Sequence, residues 1–264
     1  MQVNLLGCKK DPASDKDYRF ADARAGFDAR VGATTAEDMR LLDYAEIRQQ
    51  IGQSCVGEFA AQSMGIRARA LGQSVRYSGL GMYKLAKVQE TKDFLGKDPE
   101  PDWRYVDNGT TMRAAAKAIE RWGLVKEGDL KAGAWPHEER CLLRTPSRKA
   151  LDGARKTRGY QYLRITGSYD ERAADIGRAI RAGYPVGAAI AVDRAILDWQ
   201  GPGAIGVARG ELLGFHALTL CAVRSDGCFG CPSTWGKYWG NNGIGWISPI
   251  ALTHDVWCLA EGIT

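Results

Sequence analysis

The chain has 264 residues, of which 45% are hydrophobic and 25% are charged, and its formal net charge is +5. A chain of this length and apolar content buries a sizeable core, and one domain of two lobes fits these figures as well as two domains do. The charge is modest, no run of basic residues interleaves with aromatics, and no stretch approaches the roughly 18 apolar residues of a membrane span. We therefore expect neither nucleic acid nor a membrane as a partner.

The N-terminus of the sequence lacks the basic start, long apolar stretch and cleavage site that mark a signal peptide. We expect a protein that stays in the cytoplasm where it is made, or that is packaged from there into a particle. Residues 1–40 are rich in Asp, Ala, Arg and Gly, and we interpret them as an N-terminal arm that wraps the following domain, 41–264. A second interpretation, in which the arm covers the functional site until it is removed, stays open.

Residues 41–160 carry mainly helical patterns. A turn leads into an amphipathic helix that begins near Cys55, and its apolar face comprises Val56, Phe59, Ala60 and Met64. A second helix is predicted between an N-cap at Thr110 and a C-cap at Gly123. Its apolar residues recur with helical spacing and are expected in the core: Met112, Ala115, Ala116, Ile119 and Trp122.

Residues 161–264 carry mainly strand patterns. Buried strands are predicted over 184–192, 217–223 and 245–247, where apolar and β-branched residues form continuous runs. One further helix ends at Gly183, just before the first of these strands, and its apolar face comprises Ile176, Ala179 and Ile180. The chain therefore divides into a mainly helical half and a mainly β half.

The position of Cys55 at a predicted helix N-terminus makes it a candidate nucleophile. The thiolate is the reactive form of cysteine, and the free N–H groups and dipole of a helix N-terminus stabilise negative charge. The alternative is a structural role, because cysteine is often buried as a small hydrophobe. His216, at the start of a predicted buried strand, favours the first interpretation, since a cysteine and a histidine brought together by the fold support nucleophilic acyl transfer.

Three stretches of the sequence resemble the papain-like cysteine peptidases, specifically bacterial and phage-type members without a long inhibitory propeptide. They are Gln49-Gln50-Ile51-Gly52-Gln53-Ser54-Cys55, Gly214-Phe215-His216-Ala217, and Ser233-Thr234-Trp235-Gly236-Lys237-Tyr238-Trp239-Gly240-Asn241-Asn242-Gly243. The similarity covers most of the chain and extends to 17–20, 107–113 and Ala134-Trp135-Pro136. It implies an α+β, papain-like two-lobe fold, in which a helical lobe packs against an antiparallel β-barrel-like lobe and the active site lies in the cleft between them.

The resemblance implies a catalytic role for several of these residues. Cys55 becomes the nucleophile and His216 its base and acid, while Gln49 and the Cys55 N–H donate to the oxyanion. Ser233 stands where the family has the asparagine that orients the histidine ring, and a serine accepts a hydrogen bond from imidazole with a shorter reach. Trp235 corresponds to the indole that keeps water from the contact between that asparagine and the histidine.

The resemblance also implies a substrate-binding surface. Asn108 and Gly109 occupy the place where family members pair their backbone with an extended substrate. Phe215 and Ala217 help to wall a pocket for an apolar substrate side chain. No metal and no organic cofactor is implied by this chemistry.

The cysteines of the sequence give little indication of other chemistry. There are seven, an odd number in a sequence without a signal peptide, which argues against a disulfide framework. Cys228 and Cys231 have the spacing of a metal knuckle, but no second pair at suitable spacing accompanies them.

We therefore expect a cysteine endopeptidase that acts on a protein or peptide substrate through an acyl-enzyme intermediate. Two alternatives stay open. The same cysteine–histidine chemistry serves other acyl transfers, such as deamidation, transpeptidation or the cleavage of a cell-wall peptide. A domain with this fold can instead be a structural or binding protein, for example a component of a phage particle, with Ser233 as a sign of relaxed catalytic constraint.

Overall fold

The fold is seen in a computed structural model, which describes residues 6–12, 14–31, 37–97, 104–129, 142–144 and 147–261. The turn expected at Ala134-Trp135-Pro136 lies outside these residues, as does Cys141. Within the described part, none of the helices is both long and apolar enough to cross a membrane.

The described residues contain seven α-helices and twelve short strands. The helices are α1 (Phe20–Asp28), α2 (Cys55–Ala70), α3 (Gly79–Leu95), α4 (Met112–Trp122), α5 (Arg148–Ala154), α6 (Tyr169–Arg181) and α7 (Arg194–Leu197). The strands are β1 (Cys8–Lys9), β2 (Arg104–Val106), β3 (Thr110–Thr111), β4 (Leu142–Arg144), β5 (Tyr160–Arg164), β6 (Val186–Val192), β7 (Ala204–Ile205), β8 (Gly214–Leu220), β9 (Ala222–Val223), β10 (Phe229–Pro232), β11 (Ile244–Ile247) and β12 (Val256–Glu261).

Helix α2 is the central helix of the fold, with α3 packed against it and α4 packed against α3. Every residue of α2 from Cys55 to Ile66 is buried, as expected of a helix enclosed by other elements rather than lying on a surface. The close approach of α3 depends on Gly57, because a Cβ atom there would come within 2.2 Å of the backbone oxygen of Gly79. The predicted helix at Cys55 is thus confirmed, and it is more deeply buried than an amphipathic pattern indicates.

The N-terminus of α4 lies one residue later than predicted. Its N-cap is Thr111, whose hydroxyl accepts a hydrogen bond from the N–H of Ala114 at 3.1 Å, so the predicted N-cap at Thr110 is wrong. Thr110 instead lies in β3, and its N–H donates to the carbonyl of Gly7 at 2.9 Å. The predicted end at Gly123 is confirmed, and its φ of 85° is a value that favours glycine.

Two four-stranded sheets make up most of the β structure. The first has the order β5-β12-β6-β8 with antiparallel neighbours throughout, and α2 packs across β8 and β6. The second has the order β7-β11-β10-β9, in which β7 and β11 run parallel and the other neighbours antiparallel. The α+β class is confirmed, but neither sheet closes into a barrel within the described strands.

The first sheet separates two hydrophobic clusters, and the alternation of side chains along its strands shows this directly. Ala217 of β8 and Trp257 of β12 pack with the helices α2, α3 and α4 on one face. Leu218 of β8 packs on the opposite face, where α1 adds the fully buried Phe20 and Phe27. Part of the predicted N-terminal arm therefore belongs to the core.

Candidate active site

Cys55 is the first residue of α2 and is fully buried. Burial raises the pKa of its thiol to about 11, although the backbone N–H groups of Ala217, Gly7 and Val56 donate to the sulfur and act in the opposite direction. The donors expected at a helix N-terminus are therefore present, but the loss of water around the sulfur outweighs them. In this conformation the thiol is protonated at neutral pH.

His216 is the third residue of β8 and is only 4% exposed. The residue after it, Ala217, donates its N–H to the Cys55 sulfur, so β8 brings the histidine to the N-terminus of α2. The imidazole stacks on the indole of Trp235, with ring centroids 4.0 Å apart and planes at 30°. Trp239 packs edge-on against the same indole at 5.4 Å. The fold thus brings Cys55, His216 and Trp235 into one site.

Thr234 contacts the edge of the imidazole. Its Oγ1 lies 3.3 Å from His216 Nε2 and donates to Oε1 of Gln50 at 2.9 Å. Gln50 in turn donates from Nε2 to the carbonyl of Gly52 at 3.0 Å. Neither Thr234 nor Gln50 was predicted as a site residue, although both lie within the stretches that resemble the family. The only signal in the sequence was their position next to Ser233 and Gln49, on the opposite side of an extended backbone.

Ser233 is buried beside this contact, and its hydroxyl is engaged elsewhere. The Oγ atom accepts a hydrogen bond from the N–H of Trp235 at 2.8 Å. Both backbone groups of Ser233 are also bonded, the N–H to the carbonyl of Gly243 at 2.7 Å and the carbonyl to the N–H of Arg48 at 2.9 Å. Its expected role in orienting His216 stays a prediction. The hydroxyl that contacts the imidazole is that of Thr234.

Gln49 lies on the exposed side of the segment that pairs with Trp235. Its Oε1 atom is so close to Gly236 that a Cβ atom on that glycine would come within 2.5 Å. Gln49 and Gln50 therefore point in different directions, Gln49 towards solvent and Gln50 towards the interior. The expected role of Gln49 as an oxyanion donor stays a prediction.

An N-terminal segment, residues 6–11, crosses the site. The N–H of Gly7 donates to the Cys55 sulfur, and a Cβ atom at Gly7 would come within 1.9 Å of the backbone oxygen of Gln53. Strand β1 continues from there and pairs in parallel with β3, with Cys8 opposite Thr110. Gly7 thus contacts the Cys55 sulfur through its N–H and the N–H of Thr110 through its carbonyl.

The expected substrate-binding residues Asn108 and Gly109 lie against this N-terminal segment. A Cβ atom at Gly109, whose φ is +74°, would come within 2.2 Å of the oxygen of Gly7. The Oδ1 atom of Asn108 accepts from Lys9 Nζ at 3.3 Å and from Lys87 Nζ at 2.9 Å. The surface expected to pair with an extended substrate is therefore covered by a part of the same chain.

The other two expected substrate-binding residues lie on β8, on either side of His216. Phe215 packs its ring edge-on against His254 at 4.4 Å, and it lines a small cavity together with Cys8 and Lys9 of the N-terminal segment. Ala217 is fully buried, and its backbone N–H donates to the Cys55 sulfur. Their expected role in substrate selection stays a prediction.

Asp11 anchors the end of the N-terminal segment in a buried polar cluster. Its Oδ1 accepts from the N–H of Arg113 at 3.0 Å and its Oδ2 from the indole N–H of Trp257 at 2.7 Å, while its own N–H donates to Asp255 at 2.8 Å. Arg164 pairs with Asp255 at 2.7 Å. Burial, followed by the negative charge of Asp255, raises the pKa of Asp11 to about 6.

Among the described residues, no group of three His, Cys, Asp or Glu side chains is placed to hold a metal ion. Cys228, just before β10, and Cys231, within β10, are both buried.

No family model matches the chain, and no curated protein matches its sequence. Several solved structures are similar to it. Xylellain, a cysteine protease from Xylella fastidiosa, is 17% identical, with a TM-score of 0.74 over 98% of this chain and 97% of that one. Procathepsin B from Trypanosoma congolense is 15% identical, with a TM-score of 0.69 over 98% and 86%. A cysteine protease from Carica candamarcensis is 17% identical, with a TM-score of 0.58 over 84% and 97%. The chain has the papain-like fold.

Proposed function

We propose that the chain is a cysteine endopeptidase that hydrolyses peptide bonds with Cys55 as nucleophile and His216 as base and acid. The observation that carries this proposal is the hydrogen bond from the N–H of Ala217 to the Cys55 sulfur, because it joins the N-terminus of α2 to the residue next to His216. Support also comes from the stacking of the imidazole on Trp235, which holds the ring in one plane. The papain-like fold is consistent with this chemistry but does not by itself assign it.

The proposed reaction begins with transfer of the Cys55 proton to His216. The thiolate attacks the carbonyl carbon of a peptide bond, while the Cys55 N–H and the Gln49 amide donate to the oxyanion. His216 then protonates the departing amine as the C–N bond breaks and a thioester remains. Water attacks the thioester with His216 as base, which releases the acid and restores the thiol.

We further propose that the described conformation is latent. Its sulfur is buried, and the thiol pKa of about 11 leaves little thiolate at neutral pH. The N-terminal segment faces the sulfur with the N–H of Gly7 and lies against Asn108 and Gly109. The segment must therefore move before a substrate backbone can pair with Asn108 and Gly109.

The proposed substrates are proteins or peptides, met in the cytoplasm or in a phage particle assembled there. A related acyl transfer, with an amine in place of water, uses the same residues and differs in the acceptor. No specific observation favours this variant over hydrolysis, and none favours a purely structural role in a particle.

The test compares peptide hydrolysis by the full chain with hydrolysis by a Gly7→Ala variant, since the added methyl group would meet the backbone oxygen of Gln53 and displace the segment. We expect a peptide library to be cleaved by Gly7→Ala and left intact when Cys55→Ala or His216→Ala is added. Mass spectrometry of the products identifies the cleaved bonds. Cleavage that survives Cys55→Ala, or its absence from every variant, would overturn the proposal.

A further inference from the structure

A buried chain of hydrogen bonds leads away from the imidazole of His216. It runs from His216 Nε2 to Thr234 Oγ1 at 3.3 Å, from Thr234 to Gln50 Oε1 at 2.9 Å, and from Gln50 Nε2 to the carbonyl of Gly52 at 3.0 Å. Thr234 and Gln50 are each 3% exposed. The proposed reaction assigns no role to either residue.

The carbonyl of Gly52, at the far end of this series of hydrogen bonds, fixes the direction of each of them. The carbonyl of Gly52 only accepts, so the amide group of Gln50 must turn its NH₂ towards it and its oxygen towards Thr234. That oxygen also only accepts, so the hydroxyl of Thr234 donates its single hydrogen to Gln50. What Thr234 offers to His216 is a lone pair, which requires a hydrogen on Nε2.

We propose that Thr234 is the positioning residue of His216, with Gln50 fixing the direction of its hydroxyl. The proposal rests on the proposed peptidase function and gives Thr234 the part that the sequence resemblance implied for Ser233. Thr234 acts through the histidine and touches no substrate.

The consequence for the chemistry concerns the two ring nitrogens. A lone pair from Thr234 is satisfied by the neutral Nε2–H tautomer and equally by the imidazolium, since both carry a hydrogen on Nε2. Nδ1 is then the nitrogen that gains and loses the proton exchanged with Cys55. Loss of the lone pair would let the neutral ring place its hydrogen on either nitrogen, and the tautomer with Nδ1–H cannot accept the thiol proton there.

The surroundings hold Thr234 where this role needs it. Its carbonyl accepts from the N–H of Gln50 at 2.8 Å, which ties the two partners together through their backbones as well as their side chains. Threonine is β-branched and stiff about χ1, so the hydroxyl has few alternative positions. The face of the imidazole rests on Trp235, which leaves the ring edge towards Thr234.

The first test is the tautomer of His216, measured by long-range ¹H–¹⁵N NMR on the full-length chain at a pH where the ring is neutral. The sequence has three histidines, so ring signals are few, and a His216→Gln variant assigns the relevant one. We expect the Nε2–H tautomer in the unmodified chain and in Thr234→Ser, and a mixture in Thr234→Val. Gln50→Met, which frees the hydroxyl to turn its hydrogen to Nε2, is expected to give a mixture as well.

A matched control is Thr219→Val in β8, the strand that carries His216. Thr219 is likewise a buried threonine, but its hydroxyl contacts the Phe59 carbonyl and the Ser63 hydroxyl, each at 3.3 Å, instead of an imidazole. It should leave the His216 tautomer unchanged. An Nδ1–H tautomer in the unmodified chain, or an unchanged tautomer in both Thr234→Val and Gln50→Met, would overturn the proposal.

The second test measures peptide hydrolysis in the Gly7→Ala background. We expect Thr234→Val to lower kcat by on the order of ten- to a hundredfold with KM nearly unchanged, because tautomer errors affect chemistry rather than binding. Thr234→Ser should restore most of the loss. An inactive Gly7→Ala parent would overturn the peptidase proposal, and the tautomer would still decide the role of Thr234. An active parent with an equally active Thr234→Val would overturn the positioning role alone.

Discussion

The backbone N–H of Gly7 donates to the sulfur of Cys55. This one hydrogen bond connects the N-terminal segment to the proposed nucleophile, and the same residue offers its carbonyl to the N–H of Thr110 at 2.9 Å. Gly7 is therefore held from two sides, between the N-terminus of α2 and strand β3. A change at this position acts on the accessibility of the thiol without altering any proposed catalytic side chain.

We predict that Gly7→Ala increases the rate at which iodoacetamide alkylates Cys55. Displacement of the segment returns water to the sulfur, lowers the thiol pKa from about 11, and raises the thiolate fraction at neutral pH. The expected increase is at least about tenfold, measured by mass spectrometry of tryptic peptides. Gly128→Ala is the matched control, because a Cβ atom there meets no neighbour within 4 Å. Equal rates in the two variants would show that the segment does not limit access.

The sequence predicted those parts of the site that follow from local patterns, but not those that depend on contacts between distant parts of the chain. The helix that begins at Cys55 and the strand that carries His216 follow local patterns, and both were predicted. The position of Gly7 was not, because parallel pairing of β1 with β3 joins segments far apart in the chain. The raised pKa of Cys55 was not predicted either, because the burial that causes it depends on tertiary contacts.

Thr234 illustrates a second limit. Alignment of motifs placed the histidine partner at Ser233, and neighbouring residues in an extended segment face opposite sides. Which of the two faces the imidazole depends on how this segment pairs with the one containing Arg48 and Gln50, through hydrogen bonds of 2.9 and 2.8 Å. The residue types alone give no preference, because both carry a hydroxyl.

The second prediction concerns the pH dependence of segment docking. The pKa of Asp11 in the docked state, about 6, lies above its ordinary value near 3.8, so docking is strongest below about pH 4 and weakens as the pH rises through 6. The groups facing this carboxyl are Asp255, which raises its pKa, and Arg113, which lowers it. We expect hydrogen exchange at the N–H of Thr110, corrected for its intrinsic rate, to be slower at pH 4.5 than at pH 7.

The control for this prediction is Asp11→Asn, which has no ionisable group at the anchor. Its corrected exchange rate at Thr110 should be nearly the same at the two pH values. Faster exchange at pH 4.5 in the unmodified chain would mean that acid releases the segment, contrary to the sign expected from the raised pKa of Asp11.

The third prediction concerns the buried ion pair between Arg48 and Glu58. Arg48 Nε lies 2.8 Å from the Glu58 carboxylate, and both side chains are about nine-tenths buried. Glu58→Gln removes the nearer of the two carboxylates beside the guanidinium, because Glu46 lies 4.0 Å from Arg48 Nη1. We expect the free energy of unfolding to fall by about 3 kcal/mol, the lower end of the loss seen when a buried pair is broken. The exposed pair of Arg194 and Asp198 is the comparison, and Asp198→Asn should lower it by under about 1 kcal/mol. Urea unfolding measures both, and equal losses would contradict the prediction that the buried pair contributes more to stability than the exposed one.

The fourth prediction separates Ser233 from Thr234. Ser233→Ala removes the acceptor for the buried N–H of Trp235, so we expect it to lower the free energy of unfolding by about 1–2 kcal/mol. Because the hydroxyl of Thr234 keeps its contacts with His216 and Gln50, the His216 tautomer should stay the same. Thr234→Val, by contrast, should change the His216 tautomer and lower kcat more than Ser233→Ala does. A change of tautomer in Ser233→Ala with none in Thr234→Val would return the orienting role to residue 233.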